Sequence, residues 1–172
     1  DAQKYAATIC QSDETYFLVN GSSCGILSAI YSATKQGGEL IMARNSHKSV
    51  YYAVELRGLK AHYLYPEMLE EGILGGITVE MVEEAFEKYP NAKTLILTSP
   101  TYDGVVSDIE SIVKAAHSKG VTVIVDEAHG FRNDTSGRYD EKALVAAARL
   151  GIFDLAYAPM GGDVEQQQSD IY

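Results

Sequence analysis

Lysine and arginine are scarce in this chain: 14 of them stand against 24 aspartates and glutamates in 172 residues, a net charge of −10. Binding to nucleic acid or to an anionic membrane draws on clustered basic side chains that release counterions, and no basic stripe occurs, so the composition argues against both partners. Cysteine is nearly absent. Cys10 and Cys24 form no C-x-x-C and are too few for a disulfide framework, which makes a reducing cytoplasm the expected compartment. No apolar run approaches the ~20 residues that span a bilayer. The opening Asp1-Ala2-Gln3-Lys4 has neither the charge nor the apolar stretch of a signal peptide. Repeats and low-complexity stretches are missing too. What is present, 46% hydrophobic and 22% charged residues, suffices for one domain with a sizeable core.

Strand and helix patterns alternate along the chain. Residues 16–19 read as a short apolar strand, followed by a helix with Ile26, Leu27, Ile30 and Tyr31 at helical spacing, which Gly37-Gly38 ends. Residues 39–42 are a second strand, 47–56 a helix stopped near Gly58, and 61–65 a third strand closed by Pro66. A glycine-punctuated loop at 70–77 leads to Thr78, an N-cap for a helix whose first turns carry Glu80 and Glu83, where the helix dipole favours negative charge. Residues 93–97 are the next strand. Ser107-Asp108-Ile109-Glu110 has the form of a capping box, so a helix should run from there to about Lys119, with Gly120 as its stop. Residues 121–125 are the central strand, and a helix at 141–150 and a strand at 153–157 complete the pattern. Such alternation predicts an α/β fold, a mostly parallel sheet flanked by helices.

The central strand runs into Asp126-Glu127-Ala128-His129. In an open parallel sheet, ligands bind outside the carboxyl ends of the strands, so a carboxylate there has a use beyond solubility. Two chemistries employ this tetrad. Helicases use its acids to hold Mg²⁺, but they also need a G-x-x-x-x-G-K-[ST] phosphate loop, and none occurs. Pyridoxal phosphate (PLP) enzymes use the Asp to hold the protonated pyridine nitrogen, and this reading is favoured, with no metal required. A cap or a structural salt bridge would also explain an Asp here, yet an Asp ending a five-residue apolar strand is costly to bury without a partner.

Three loops fall at the same edge. Asn20-Gly21-Ser22-Ser23-Cys24-Gly25 precedes a helix, where free amides and hydroxyls can cradle a phosphate; an ordinary N-cap with a glycine turn explains it as well. Arg44-Asn45-Ser46-His47-Lys48-Ser49 offers an imidazole able to stack on a flat ring, or a simple helix cap. Ser99-Pro100-Thr101-Tyr102-Asp103-Gly104 is explicable as a turn. Convergence on the edge that carries Asp126 raises all three.

These strings, with Gly72-Ile73-Leu74-Gly75-Gly76-Ile77 between them, occur in an order that resembles the bacterial PLP-dependent ornithine/lysine/arginine decarboxylases of fold type I, over residues 1–158. The resemblance implies a segment of the PLP-binding large domain, a small amino-acid substrate, and a homo-oligomer whose second subunit completes the site. It implies that the Ser22, Ser23 and Cys24 stretch holds the cofactor phosphate, Cys24 standing where the family often has a hydroxyl. His47 would stack over the pyridine ring, Ala128 pack on its other face, Asp126 bind its nitrogen, Thr101 contact its phenolic oxygen, and His129 line the substrate side. The Schiff-base lysine of the family lies downstream of the Asp in a Ser-x-His-Lys string. Here the one lysine after Asp126 is Lys142, inside the expected 141–150 helix at a surface position, and residues 159–172 match nothing in the family. The expectation is therefore a partial cofactor domain, inactive by itself. Another fold-type-I enzyme (aldolase or acyl-transferase) and an inert interaction module are the alternatives.

Overall fold

A computed structural model describes residues 2–9 and 12–128 and the backbone of 153–154. The elements in chain order are α1 (Ala2–Ile9), α2 (Gly21–Ala33), β1 (Glu39–Ala43), α3 (Lys48–Arg57), β2 (Lys60–Leu64), α4 (Val79–Lys88), β3 (Thr94–Thr98), α5 (Ile109–Ser118), β4 (Thr122–Asp126) and β5 (Phe153–Asp154). All five strands are parallel, in the order β2-β1-β3-β4-β5. The fold class expected from the alternation is the one observed.

Strand periodicity sorts the core into two layers. Ile41, Leu95, Leu97, Val123 and Val125 pack with Val82, Phe86, Ile112 and Val113 of α4 and α5. Leu40, Met42, Ile96 and Ile124 pack with Ile26, Ile30, Val50 and Ala53 of α2 and α3. With both faces covered, β3 is buried along its whole length and reads as the continuous run Thr-Leu-Ile-Leu-Thr rather than an alternation. The side chain of Thr78 caps α4 by accepting from the Met81 amide, as expected. Gly58 ends α3 in the left-handed conformation (φ 61°) that a side chain would strain.

Three expectations need correction. Residues 16–19 are not a strand: Tyr16, Phe17, Leu18 and Val19 are exposed, Val19 by 96%, and no described strand pairs with them. Four consecutive apolar residues carry no period, so nothing in them distinguishes a strand from a segment lying on the surface. Nor is the strand at 121–125 the central one: β3 lies in the middle of the order, with β4 beside it. Helix α1 had no counterpart in the sequence reading. The capping box at Ser107 does not form either. Asp108 is the N-cap of α5, accepting from the Ser111 amide at 3.1 Å, while the Ser107 hydroxyl accepts instead from the Ile77 amide at 2.9 Å. The Ser107 amide in turn donates to Ser99 Oγ. A buried amide 30 residues away thus outcompetes the local cap. Gly76 makes this approach possible, since a Cβ there would lie 3.2 Å from both Ser107 Oγ and the Val106 carbonyl. The helix expected at 141–150 and the stretch 159–172 lie outside the described residues.

Candidate functional site

The strand order reverses at β1, which pairs with β2 on one side and β3 on the other. In doubly wound sheets of this order, the crevice beyond the carboxyl ends of β1 and β3 is the switch point at which ligands bind. Thr98 ends β3 and Asp126 ends β4, in register with each other. Alternation puts both on the face of Ile96 and Ile124, the face covered by α2 and α3.

The course of α2 is fixed by a contact at the opposite edge, where Thr94 Oγ1 donates to the Ala33 carbonyl at 2.8 Å. The carboxyl end of α2 therefore meets the start of β3, and the helix runs antiparallel to the strands. Thirteen residues of helix advance about 18 Å, against about 13 Å for a five-residue strand. The amino terminus of α2 therefore lies toward the carboxyl side of the sheet, on the face that carries Asp126. Ser22, Ser23 and Cys24 form its first turn, and the Asn20 side chain makes no cap there, which leaves the first-turn amides to a ligand.

Asp126 is 2% exposed. Its Oδ1 accepts from the Ala128 amide at 3.2 Å, so the turn after β4 closes on the carboxylate and brings half-buried Ala128 beside it. His47 is the N-cap of α3: its Nδ1 accepts from the Ser49 amide and lies 2.8 Å from Ser49 Oγ. The capping role that the sequence left open is thus real, and it fixes an exposed imidazole at the same edge. Arg44 turns away over the sheet margin, its guanidinium lying over Tyr51 of α3 and Tyr63 of β2. Thr101 is buried and closes a tight turn, its hydroxyl and amide both bonded to Val105. His129 lies outside the described residues. Every described candidate, Ser22, Ser23, Cys24, His47, Thr101, Asp126 and Ala128, belongs to segments at the carboxyl edge.

Three residues to which the sequence reading gave no role stand there too. Asn45 Oδ1, Ser46 Oγ and Thr98 Oγ1 are buried without a hydrogen-bond partner. For Thr98, a signal was available: a hydroxyl at an inward position of a strand, just ahead of Ser99-Pro100-Thr101.

The residues fit pyridoxal phosphate by their donor set. A buried carboxylate suits a protonated ring nitrogen, uncapped helix amides suit a phosphate, and the partnerless oxygens mark a polar crevice between the two.

Comparison with known proteins agrees. The profile of the family described as Orn/Lys/Arg decarboxylase, major domain, matches residues 1–147. The arginine decarboxylase of Bacillus subtilis (strain 168) is 42% identical over 166 residues, covering 96% of this chain and 34% of the relative. The chain thus spans about a third of the length of that enzyme. Among solved structures, the constitutive lysine decarboxylase of E. coli superposes with a TM-score of 0.64 at 26% identity, over 74% of this chain and 19% of that one. A SepCysS–SepCysE N-terminal domain complex, TM-score 0.68 at 20% identity over 84% of this chain and 39% of that one, shares the fold alone. With a carboxylate at the end of β4, a parallel sheet of fold type I and a family profile that matches most of its length, the chain belongs to the Orn/Lys/Arg decarboxylase family, within its major domain.

Proposed function

We propose that this chain forms the cofactor-holding part of a PLP-dependent decarboxylase acting on a basic amino acid (lysine, ornithine or arginine) to give a diamine or agmatine. The observation that carries the reading is Asp126: an almost fully buried carboxylate at the end of β4, on the face over which the uncapped amino terminus of α2 extends. Bound pyridoxal phosphate would supply the electron sink for the pair left when carbon dioxide departs. Asp126 keeps the ring nitrogen protonated, because a neighbouring negative charge favours the charged form. The first-turn amides of α2, with Ser22, Ser23 and Cys24, hold the phosphate. His47 and Ala128 bound the two faces of the ring, Thr101 meets its phenolic oxygen, and His129 lines the substrate side.

Lys48, exposed at the first position of α3, belongs to the segment that places His47, and Lys142 follows no Ser-x-His string. We therefore expect the chain to bind PLP without a covalent bond and to release no carbon dioxide from lysine, ornithine or arginine. Titration with PLP, followed by absorbance, tests this. Binding weakened at least tenfold by Asp126→Ala, with no borohydride-trapped adduct, is the expected result. A trapped adduct on one lysine, or diamine release abolished by Asp126→Ala, would overturn it.

Self-association belongs to the same proposal. Tyr16, Phe17, Leu18 and Val19 are exposed in one contiguous apolar run, the kind of surface that another subunit would cover. Sedimentation velocity at micromolar concentration should show a dimer or larger species, and a single compact monomer would count against it. A cytoplasmic setting accords with the composition, and among the described residues no helix is long and apolar enough to cross a membrane.

A further inference from the structure

The buried hydroxyls of this fold are almost all satisfied. Thr34 donates to the Ile30 carbonyl, Thr94 to the Ala33 carbonyl, and Ser107 accepts from the Ile77 amide. Among the described residues the exceptions are Asn45 Oδ1, Ser46 Oγ and Thr98 Oγ1. They are not scattered. β1 and β3 are paired at Met42 and Ile96, so two residues further on position 44 comes opposite Thr98, and Asn45 and Ser46 follow at once. All three therefore stand at the switch-point crevice. A buried polar atom without a partner costs stability, and in a fold that satisfies its other buried hydroxyls the grouping of these three at one edge calls for an explanation.

Thr98 is the most informative of the three because its strand register is known. It pairs with Asp126, shares its face, and is 9% exposed. The Asp126 carboxylate already accepts from the Ala128 amide through Oδ1, and a carboxylate accepts from several donors at once.

Building on the proposed PLP site, we propose that Thr98 is a positioning residue: when a pyridinium nitrogen is held by Asp126, the Thr98 hydroxyl would donate to the same carboxylate and fix its orientation. Its effect is exerted through Asp126 and not on the substrate. The hydroxyl is maintained at a cost to the fold for the sake of the bound state. Two consequences follow with opposite signs. Removing the hydroxyl relieves the fold and harms binding.

The test compares Thr98→Val, Thr98→Ser and Asp126→Ala in the 172-residue chain, with PLP as the probe. Without PLP, Thr98→Val should melt at the same temperature as the unaltered chain or higher. With PLP, it should raise Kd about tenfold, the loss expected for one hydrogen bond to a charged group, and Thr98→Ser should restore binding to within about twofold. The pH at which the absorbance of bound PLP reports loss of the ring proton should also shift in Thr98→Val and return in Thr98→Ser. If Thr98→Val melts several degrees lower or does not fold, the hydroxyl is structural and the inference fails. If Asp126→Ala weakens binding and Thr98→Val leaves it unchanged, the inference fails while the site stands. If neither variant changes Kd, the PLP site itself is refuted.

Discussion

The two edges of the sheet are built on different principles. At the amino edge, the described side chains at the starts of β1 and β2 engage one another. His62, buried on β2, holds Glu39 of β1 at 2.7 Å and stacks on Tyr89 at 3.7 Å between ring centres, while Lys60 lies 3.7 Å from the same carboxylate. Arg57 donates to both the hydroxyl and the carbonyl of Thr34, tying the ends of α2 and α3 together. At the carboxyl edge a carboxylate is buried and three neighbouring oxygens have no partner. The contrast teaches that an unsatisfied polar group in a well-satisfied fold locates a site more sharply than a residue type does.

The largest test of this contrast is Asp126→Asn in a catalytically active protein containing this domain. The change keeps the shape and removes the charge, so kcat should fall on the order of a thousand-fold, about 4 kcal/mol of transition-state stabilisation, with a smaller loss of cofactor affinity. Kinetics within tenfold of the unaltered protein would make Asp126 structural. Next in size is Ser107→Ala, which leaves the buried Ile77 amide without its acceptor and should cost about 1–3 kcal/mol in urea denaturation. Asp108→Ala removes the α5 cap and should cost about 1 kcal/mol. Had Ser107 been the cap, Ser107→Ala would cost about 1 kcal/mol and Asp108→Ala almost nothing, so the pair of values reports which residue does what.

The smallest effect belongs to the amino edge. The hydrogen bond from His62, aided by the charge of Lys60, holds the Glu39 carboxyl below the usual glutamate range. A lowered folded value means that this contribution is complete above the unfolded pKa of about 4.3 and is lost as pH falls through the lower folded one. Melting temperatures measured between pH 6 and pH 3 should fall less steeply in Glu39→Gln than in the unaltered chain. The same variant should bind PLP normally, and a change in its Kd would mean that the two edges are coupled and the contrast misdrawn.

How much of this was legible beforehand depends on whether a feature is local. The strands at 39–42, 93–97 and 121–125 were readable within a residue or two because each is a short apolar run bounded by turn residues. Thr78 and Gly58 were readable because a cap is set by the residues beside it. Residues 16–19 misled because apolarity without a period fits both a strand and an exposed segment. Ser107 misled because its sequence neighbours satisfy a capping box, and only the folded chain brings the Ile77 amide within reach.

The site divides in the same way. The amino-acid order by itself determined the alternating elements, the carboxylate at the end of the strand at 121–125 and the family resemblance carried by five strings, since each depends on residues adjacent in the chain. The tertiary structure decided that β1 and β3 are neighbours, that Thr98 stands in register with Asp126, and that the amino terminus of α2 lies toward the carboxyl side of the sheet on their face. It also decided that Asn45, Ser46 and Thr98 are left without partners. Those relations join residues far apart in the chain, and strand order, helix direction and hydrogen-bond satisfaction exist only once the whole sheet has closed around its two cores.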